Sequence, residues 1–238
     1  MKNIQTIIGI FSMATIVSLS ACVNGKGDVV TKTFPLTGFD QVDFSTQGEV
    51  VLVVDENQFV EVKSNQNIID ALKLEVVGTT LHIKTKSGKN IHKYDELTIF
   101  VHAPRINKVE TSASGNITGG NGIAGPGFEA KTSASGNITI TDIASQDVDA
   151  ETSASGNITL SGFANKCDFD VDASGNIHAF GLESNETEAE TSASGNIETT
   201  TNNVLRIKIS ASGNVSYKGT PATLEIDDSA SGNVINAN

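Results

Sequence analysis

Tryptophan is absent from this 238-residue chain, tyrosine occurs twice, and arginine appears only at Arg105 and Arg206. Binding to nucleic acid draws on clustered cations and stacking rings, so no nucleic-acid partner is expected. The shortage of rings also leaves a stacking sugar groove poorly supplied. Acidic residues outnumber basic ones 28 to 16, giving a formal charge of −12. The four histidines, His82, His92, His102 and His178, show no metal-ligand spacing. Gly119-Gly120-Asn121-Gly122 echoes the start of a calcium-binding nonapeptide, but Ala124 stands where that motif needs Asp, and the period differs. Cysteine occurs only at 22 and 167.

Apolar runs of any length are confined to the start. Lys2 supplies a positive charge, and residues 7–19 match a signal-peptide core. That run is short of the roughly 20 apolar residues a spanning helix needs. It ends in Leu19-Ser20-Ala21-Cys22, the pattern of a bacterial lipobox, in which a thiol carries diacylglycerol after cleavage. Residues 1–21 are therefore expected to be a lipoprotein signal peptide, and Cys22 the lipidated first residue. Their removal takes away only Lys2, so −12 becomes −13. With Cys22 acylated, Cys167 has no disulfide partner, and stability must come from burial and backbone pairing.

A repeat organises the rest. Ala-Ser-Gly-Asn begins at Ala113, Ala134, Ala154, Ala173, Ala193, Ala211 and Ala230, at spacings of 21, 20, 19, 20, 18 and 19 residues. Such a period is one turn of a β-solenoid. Two, four and six residues before each Ala the side chains are mostly apolar or Thr, as in Val148, Ala150 and Thr152. Three and five before, they are charged in every repeat, from Lys108 and Glu110 to Glu225 and Asp227. Strict alternation is a strand with one buried face. Ile117, Ile138, Ile158, Ile177, Ile197, Val215 and Val234 follow the Asn and should stack as an interior column. Each fully buried member contributes about 1.5–3 kcal/mol. The Asn column reads as a hydrogen-bonded ladder, and Cys167, in inward register, as a packed, inert thiol.

Two outward features carry candidate chemistry. In most rungs opposite charges face each other: Lys131 lies between Glu110 and Glu151, Lys208 between Glu190 and Asp227, Arg206 between Glu188 and Glu225. The middle rungs depart from this, setting Asp149, Glu151, Asp168, Asp170, Glu188 and Glu190 in a two-by-three array beside Asp172. Strands about 4.8 Å apart give neighbouring charges a repulsion of roughly 0.9 kcal/mol in bulk water. Solvent and splayed side chains absorb this, or else a weakly bound Ca2+ does; no other cofactor is expected. Serines flank the Ala on both sides: Ser133/Ser135, Ser153/Ser155, Ser192/Ser194 and Ser210/Ser212 among others, with Asp172/Ser174 the exception. On a flat strand both would point outward as a hydroxyl grid. Small residues suit a tight corner; such a grid also suits crystalline polysaccharide, ice or another flat β-surface, although ice-binding solenoids use Thr.

Upstream, residues 50–54, 59–62, 72–76, 81–83 and 97–101 have strand character, and Gly48, Gly78 and Gly88 mark bends. This region is expected to cap the first rung; the last has no evident cap, which points to end-to-end or trimeric association. Residues 23–27 read as a flexible tether. Thr37-Gly38-Phe39-Asp40-Gln41-Val42, the run 48–54, Gly78-Thr79-Thr80-Leu81-His82-Ile83, and the segment from Ile99 through Ser112-Ala113-Ser114-Gly115-Asn116-Ile117 resemble the family called putative auto-transporter adhesin, head GIN domain. The likeness spans residues 30–238 and implies a β-helical envelope protein, often a lipoprotein, with no established enzymatic activity.

The expected architecture is an all-β, right-handed parallel β-helix, the handedness following the crossover rule. Signal peptide 1–21, lipidated Cys and tether 22–29, an irregular β-rich cap 30–108 and a seven-repeat solenoid 109–238 make up the chain. The expected role is structural or adhesive at the outer membrane: membrane attachment through the lipid, and binding of a host or neighbouring-cell protein or glycan through the repeated face. Envelope polysaccharide binding is the alternative. Polysaccharide cleavage ranks lower, because carboxylates recur at every rung instead of forming one acid–base pair.

Overall fold

A computed structural model of the chain describes residues 21–120, 122–229 and 231–238. The signal-peptide expectation, apart from Ala21, lies outside the described residues. Strands dominate, as the alternating pattern requires. The N-terminal part holds β1 (Ala21–Asn24), β2 (Val29–Phe34), β3 (Gln41–Ser45), β4 (Glu49–Val54) and β5 (Phe59–Asn65), then the single-turn α1 (Gln66–Ile69). After it come β6 (Leu72–Val77), β7 (Thr80–Thr85), β8 (Lys89–Lys93) and β9 (Leu97–Ala103). The repeats form β10 (Lys108–Thr111), β11 (Asn116–Gly119), β12 (Ala124–Thr132), β13 (Ile138–Thr152) and β14 (Ile158–Val171). They continue as β15 (Ile177–Thr191), β16 (Ile197–Ile209), β17 (Asn214–Lys218), β18 (Thr223–Asp228) and β19 (Asn233–Asn236).

These strands build a β-solenoid of about six turns. Successive repeats pair in parallel with equivalent residues opposite: Ile138 with Ile158, Ile158 with Ile177, Ile177 with Ile197. The column after the Asn is buried from Ile117 through Val215, and Val234 packs against it partly buried. A second column runs Val109, Ala130, Ala150, Phe169, Ala189 and Ile207. Phe169 fits because Ala150 and Ala189 lie above and below it.

The bend between the faces explains the tetrapeptide. Thr152, buried in the column two before the Ala, donates its hydroxyl to the Gly156 carbonyl at 2.9 Å. Thr111, Thr132 and Thr191 do the same within their own rungs. Inward Thr is thus a corner brace. A Cβ on Gly156 would lie 2.1 Å from the Gly136 carbonyl oxygen and 2.4 Å from the Thr132 hydroxyl of the rung before. Close approach, not positive φ, is what demands glycine here. Each Asn then donates its side-chain amide to the Asn of the preceding rung, from Asn137 on Asn116 at 3.0 Å to Asn233 on Asn214 at 2.9 Å. The accepting oxygen of Asn157 also takes the backbone N–H of Asn176 at 3.1 Å.

The region 30–108 is less irregular than expected. β3 and β4 lie in parallel register under β10 and β11, Val42 facing Val109 and Val50 facing Ile117. β7 and β9 form a further rung beneath them. The parallel stack then stops: β6 runs antiparallel to β7, and β5 antiparallel to β9 with β2 beyond it. The short repeat-less region therefore supplies two more layers and closes the edge by reversing strand direction. The flexible tether is corrected outright. β1 pairs in parallel with β8, Cys22 opposite Asn90. Beyond it the Gly25 N–H bonds the Lys93 carbonyl, the Lys26 N–H the Asn67 side chain, and Asn65 the Gly27 carbonyl. Backbone groups with partners this regular hold a segment in place.

Two substitutions test the bend. Gly156→Ala should destabilise by about 1–3 kcal/mol through overpacking, while Gly127→Ala, where an added Cβ meets nothing within 4 Å, should leave the melting temperature unchanged or slightly higher. Asn157→Ala strands the Asn176 N–H and should cost about 1–3 kcal/mol. Thermal unfolding, which moves roughly 2–4 °C per kcal/mol at this size, reads all three; equal effects at Gly156 and Gly127 would refute close approach.

Candidate functional site

The hydroxyl rows form on the bend rather than on a flat strand. In each repeat the backbone from the first Ser to the Gly hydrogen-bonds the rung before. The Ser153 N–H reaches the Thr132 carbonyl at 3.0 Å, and Ser155 and Gly156 share the Ala134 carbonyl at 3.2 and 2.9 Å. Both serines stay exposed, with the Ala between them half-buried. Ser133, Ser153, Ser192 and Ser210 make one row, and Ser135, Ser155, Ser194 and Ser212 the other. Asp172 interrupts the first row, and its carboxylate accepts the Ser192 hydroxyl at 2.9 Å. Ser112 donates to Ser45 at 2.9 Å, which extends the row onto the added rung of β3.

The acidic array also assembles as the register requires. Asp149, Asp168 and Glu188 pair in one row, and Glu151, Asp170 and Glu190 in the next, with Asp172 two residues along. Lysines close its ends: Lys131 meets Glu151 at 2.6 Å and Lys208 meets Glu190 at 2.5 Å. Partial burial, then the charges of Asp168 and Glu190, push the Asp170 carboxyl up to about 6. Burial first and neighbouring carboxylates second raise Asp149 and Asp168 as well. Lys166, which lies between Asp147 and Glu186, opposes the rise at Asp149 and Asp168. That lysine sits seven before the Ala, outside the alternation, and sequence reasoning missed it. Among the described residues, no three His, Cys, Asp or Glu side chains are grouped so that they could hold a metal ion.

Cys167 is buried and burial pushes its thiol up to about 12, whereas Cys22 is exposed. An open groove of about 570 Å³ on the β4–β11–β13 face was not foreseen. Val51, Val53, Thr118, Thr139 and Thr141 line it, and Gly119-Gly120 form part of its floor. A Cβ at Gly120 would strike the Thr141 hydroxyl at 2.3 Å. That glycine pair, compared above with a calcium motif, was the available signal.

Protonation of Asp170 is favoured by folding, since its carboxyl titrates near 6 in place of 3.8. The stabilisation is full below pH 3.8 and is lost as pH rises through 6. Melting temperature should therefore rise on going from pH 7 to pH 5. Asp170→Asn should raise it at pH 7 by about 1–3 °C, solvent screening keeping the effect small, and flatten the dependence. A wild-type value that falls between pH 7 and 5 would contradict this.

Solved structures share the architecture. A putative adhesin from Bacteroides fragilis NCTC 9343 superposes with a TM-score of 0.85 at 20% identity, over 90% of this chain and 99% of that one. A putative lipid binding protein from Parabacteroides distasonis ATCC 8503 gives 0.72 at 22% identity, over 91% and 100%. A putative adhesin from the same strain gives 0.68 at 19%, over 90% and 99%. At such identities the likeness is one of fold. No curated protein matches the chain. The repeat, the bend and the layered N-terminal region all fall in the matched span, for the family model described as putative auto-transporter adhesin, head GIN domain, covers residues 38–221, and the chain belongs to that family.

Proposed function

We propose that this is a lipid-anchored protein of the bacterial outer membrane that binds a protein or glycan through the repeated bend, and that it catalyses no reaction. The observation that carries the reading is the pair of exposed serine rows, repeated rung after rung with only an Ala methyl between them. A surface that presents one group at a constant strand spacing complements a partner that is itself repetitive or flat. Membership of a family described by adhesion supports a binding role. The anchor rests on the lipobox ending at Cys22.

A second reading has its own support. The groove over β4, β11 and β13 combines an apolar floor with a rim of Thr hydroxyls, a composition suited to a polysaccharide lying across the rungs. A glycan array probed with residues 22–238, followed by two variants, separates the readings. Replacing Ser153, Ser155, Ser192 and Ser194 with Lys should weaken binding at least about tenfold and shift stability by less than about 0.5 kcal/mol per site. Loss of binding in Thr118→Lys/Thr139→Lys alone would favour the groove. Binding unchanged in both variants would remove both surfaces, and release of new reducing ends from any bound polysaccharide would overturn the non-catalytic assignment.

A further inference from the structure

The segment bearing Cys22 is paired to the body of the protein through β8, and four lysines without ion pairs cluster around it. Lys63, Lys73, Lys84, Lys108, Lys131 and Lys208 all form ion pairs with carboxylates. Lys26, Lys86, Lys89 and Lys93 form none among the described residues and are exposed, as are Lys32, Lys166 and Lys218 elsewhere on the chain; what sets the four apart is their grouping. They gather on one small module. Lys89 and Lys93 are the ends of β8 and face Ala21 and Asn24 of β1. Lys86 precedes β8 and donates its ammonium to the Asp70 carbonyl at 2.7 Å. Lys26 follows β1. The nearby carboxylates are turned to other work: Asp70 accepts Gln66 at 2.8 Å and Asp95 accepts Asn65 at 3.1 Å. Asp28 is the remaining acid on the flanking turns.

Charge is divided along the chain in the same sense. Residues 22–108 carry 10 Lys and Arg against 11 Asp and Glu, and residues 109–238 carry 5 against 17. The first group belongs to the end where β7 and β9 lie. The acidic rows of β13 to β15 are four or more strands from β7, hence about 20 Å away. At 0.1 M salt the Debye length is about 10 Å, so the acidic rungs are screened from anything that touches the β1–β8 module.

We propose that the β1–β8 module, with Lys26, Lys86, Lys89 and Lys93, is a membrane-contacting surface that binds the headgroups of anionic phospholipids. The inference rests on the anchor reading above, because acyl chains on Cys22 would leave the protein with no spacer and set this surface at the interface. Each lysine there gains from a negatively charged leaflet, a gain that salt weakens. An anchor on a flexible tether would need no such complement; an anchor on a docked strand brings these four ammonium groups against phosphate.

The surface is testable apart from the lipid. Residues 22–238 carrying Cys22→Ser, at 0.1 M salt, should co-sediment with vesicles of phosphatidylcholine and phosphatidylglycerol at least about tenfold more than with phosphatidylcholine alone. Raising the salt to 0.5 M should abolish the difference. K26Q/K86Q/K89Q/K93Q should abolish it too, while K166Q/K218Q, which changes solenoid lysines, should not; matching melting curves would show that all remain folded. No preference for the anionic vesicles, or a preference that survives the fourfold variant, overturns the proposal. The mass of the N-terminal peptide of the native membrane fraction decides the anchor separately: an unmodified Cys22 with a surface that still binds would sink the anchor reading alone.

Discussion

Everything in the solenoid depends on how closely one bend can approach the next. The Gly156 Cα sits so near the Gly136 carbonyl that a single added carbon would lie 2.1 Å from its oxygen, and the same relation recurs at Gly136, Gly175, Gly195, Gly213 and Gly232. That approach sets the spacing at which the Asn amides join and at which Ile138, Ile158 and Ile177 meet. Packing and polar satisfaction therefore share one geometric origin. A slip of one residue would put the Ile column in water and the carboxylates inside, which is why register in a half-buried strand is so strongly specified.

The repeat was legible because it is regular at every level. The period of about 20, the inward column, the Asn ladder and the outward charge rows each follow from side-chain alternation, and each is found in place. Three things were legible only in part or not at all. A tight corner at the serines was one of two readings left open, because the alternation runs into them unbroken; the Thr-to-Gly brace, a contact four residues apart, is what turns the chain there. The layers formed by β3, β4, β7 and β9 lack the tetrapeptide, so pattern matching could see strands but not that Val42 and Val50 continue the columns of Val109 and Ile117. Pairing of β1 with β8 joins residues 68 apart, Cys22 with Asn90 for one, and no local feature of residues 21–27 announces it.

Magnitudes explain why three consecutive acidic rungs are tolerated. Each buried branched side chain contributes about 1.5–3 kcal/mol, and a neighbouring pair of carboxylates in water opposes by roughly 0.9 kcal/mol. The interior wins at every rung, even before Lys131, Lys208 and Lys166 offset part of the repulsion. The cost appears instead as a carboxyl at Asp170 that holds its proton up to about pH 6. Outward positions on these strands are consequently free to vary in sign without endangering the fold.

That freedom sharpens the question posed by the serines. Glycine, asparagine and buried threonine have identified partners in the stack, and a substitution at any of them disturbs a bond or a contact. Of the serine hydroxyls, Ser112 and Ser192 have side-chain partners, on Ser45 and Asp172. Corner space alone would accept Ala or Gly as readily. Because the outward charges change from rung to rung while the serines give way only at Asp172, the near-uniformity of the rows accords with the binding surface proposed above.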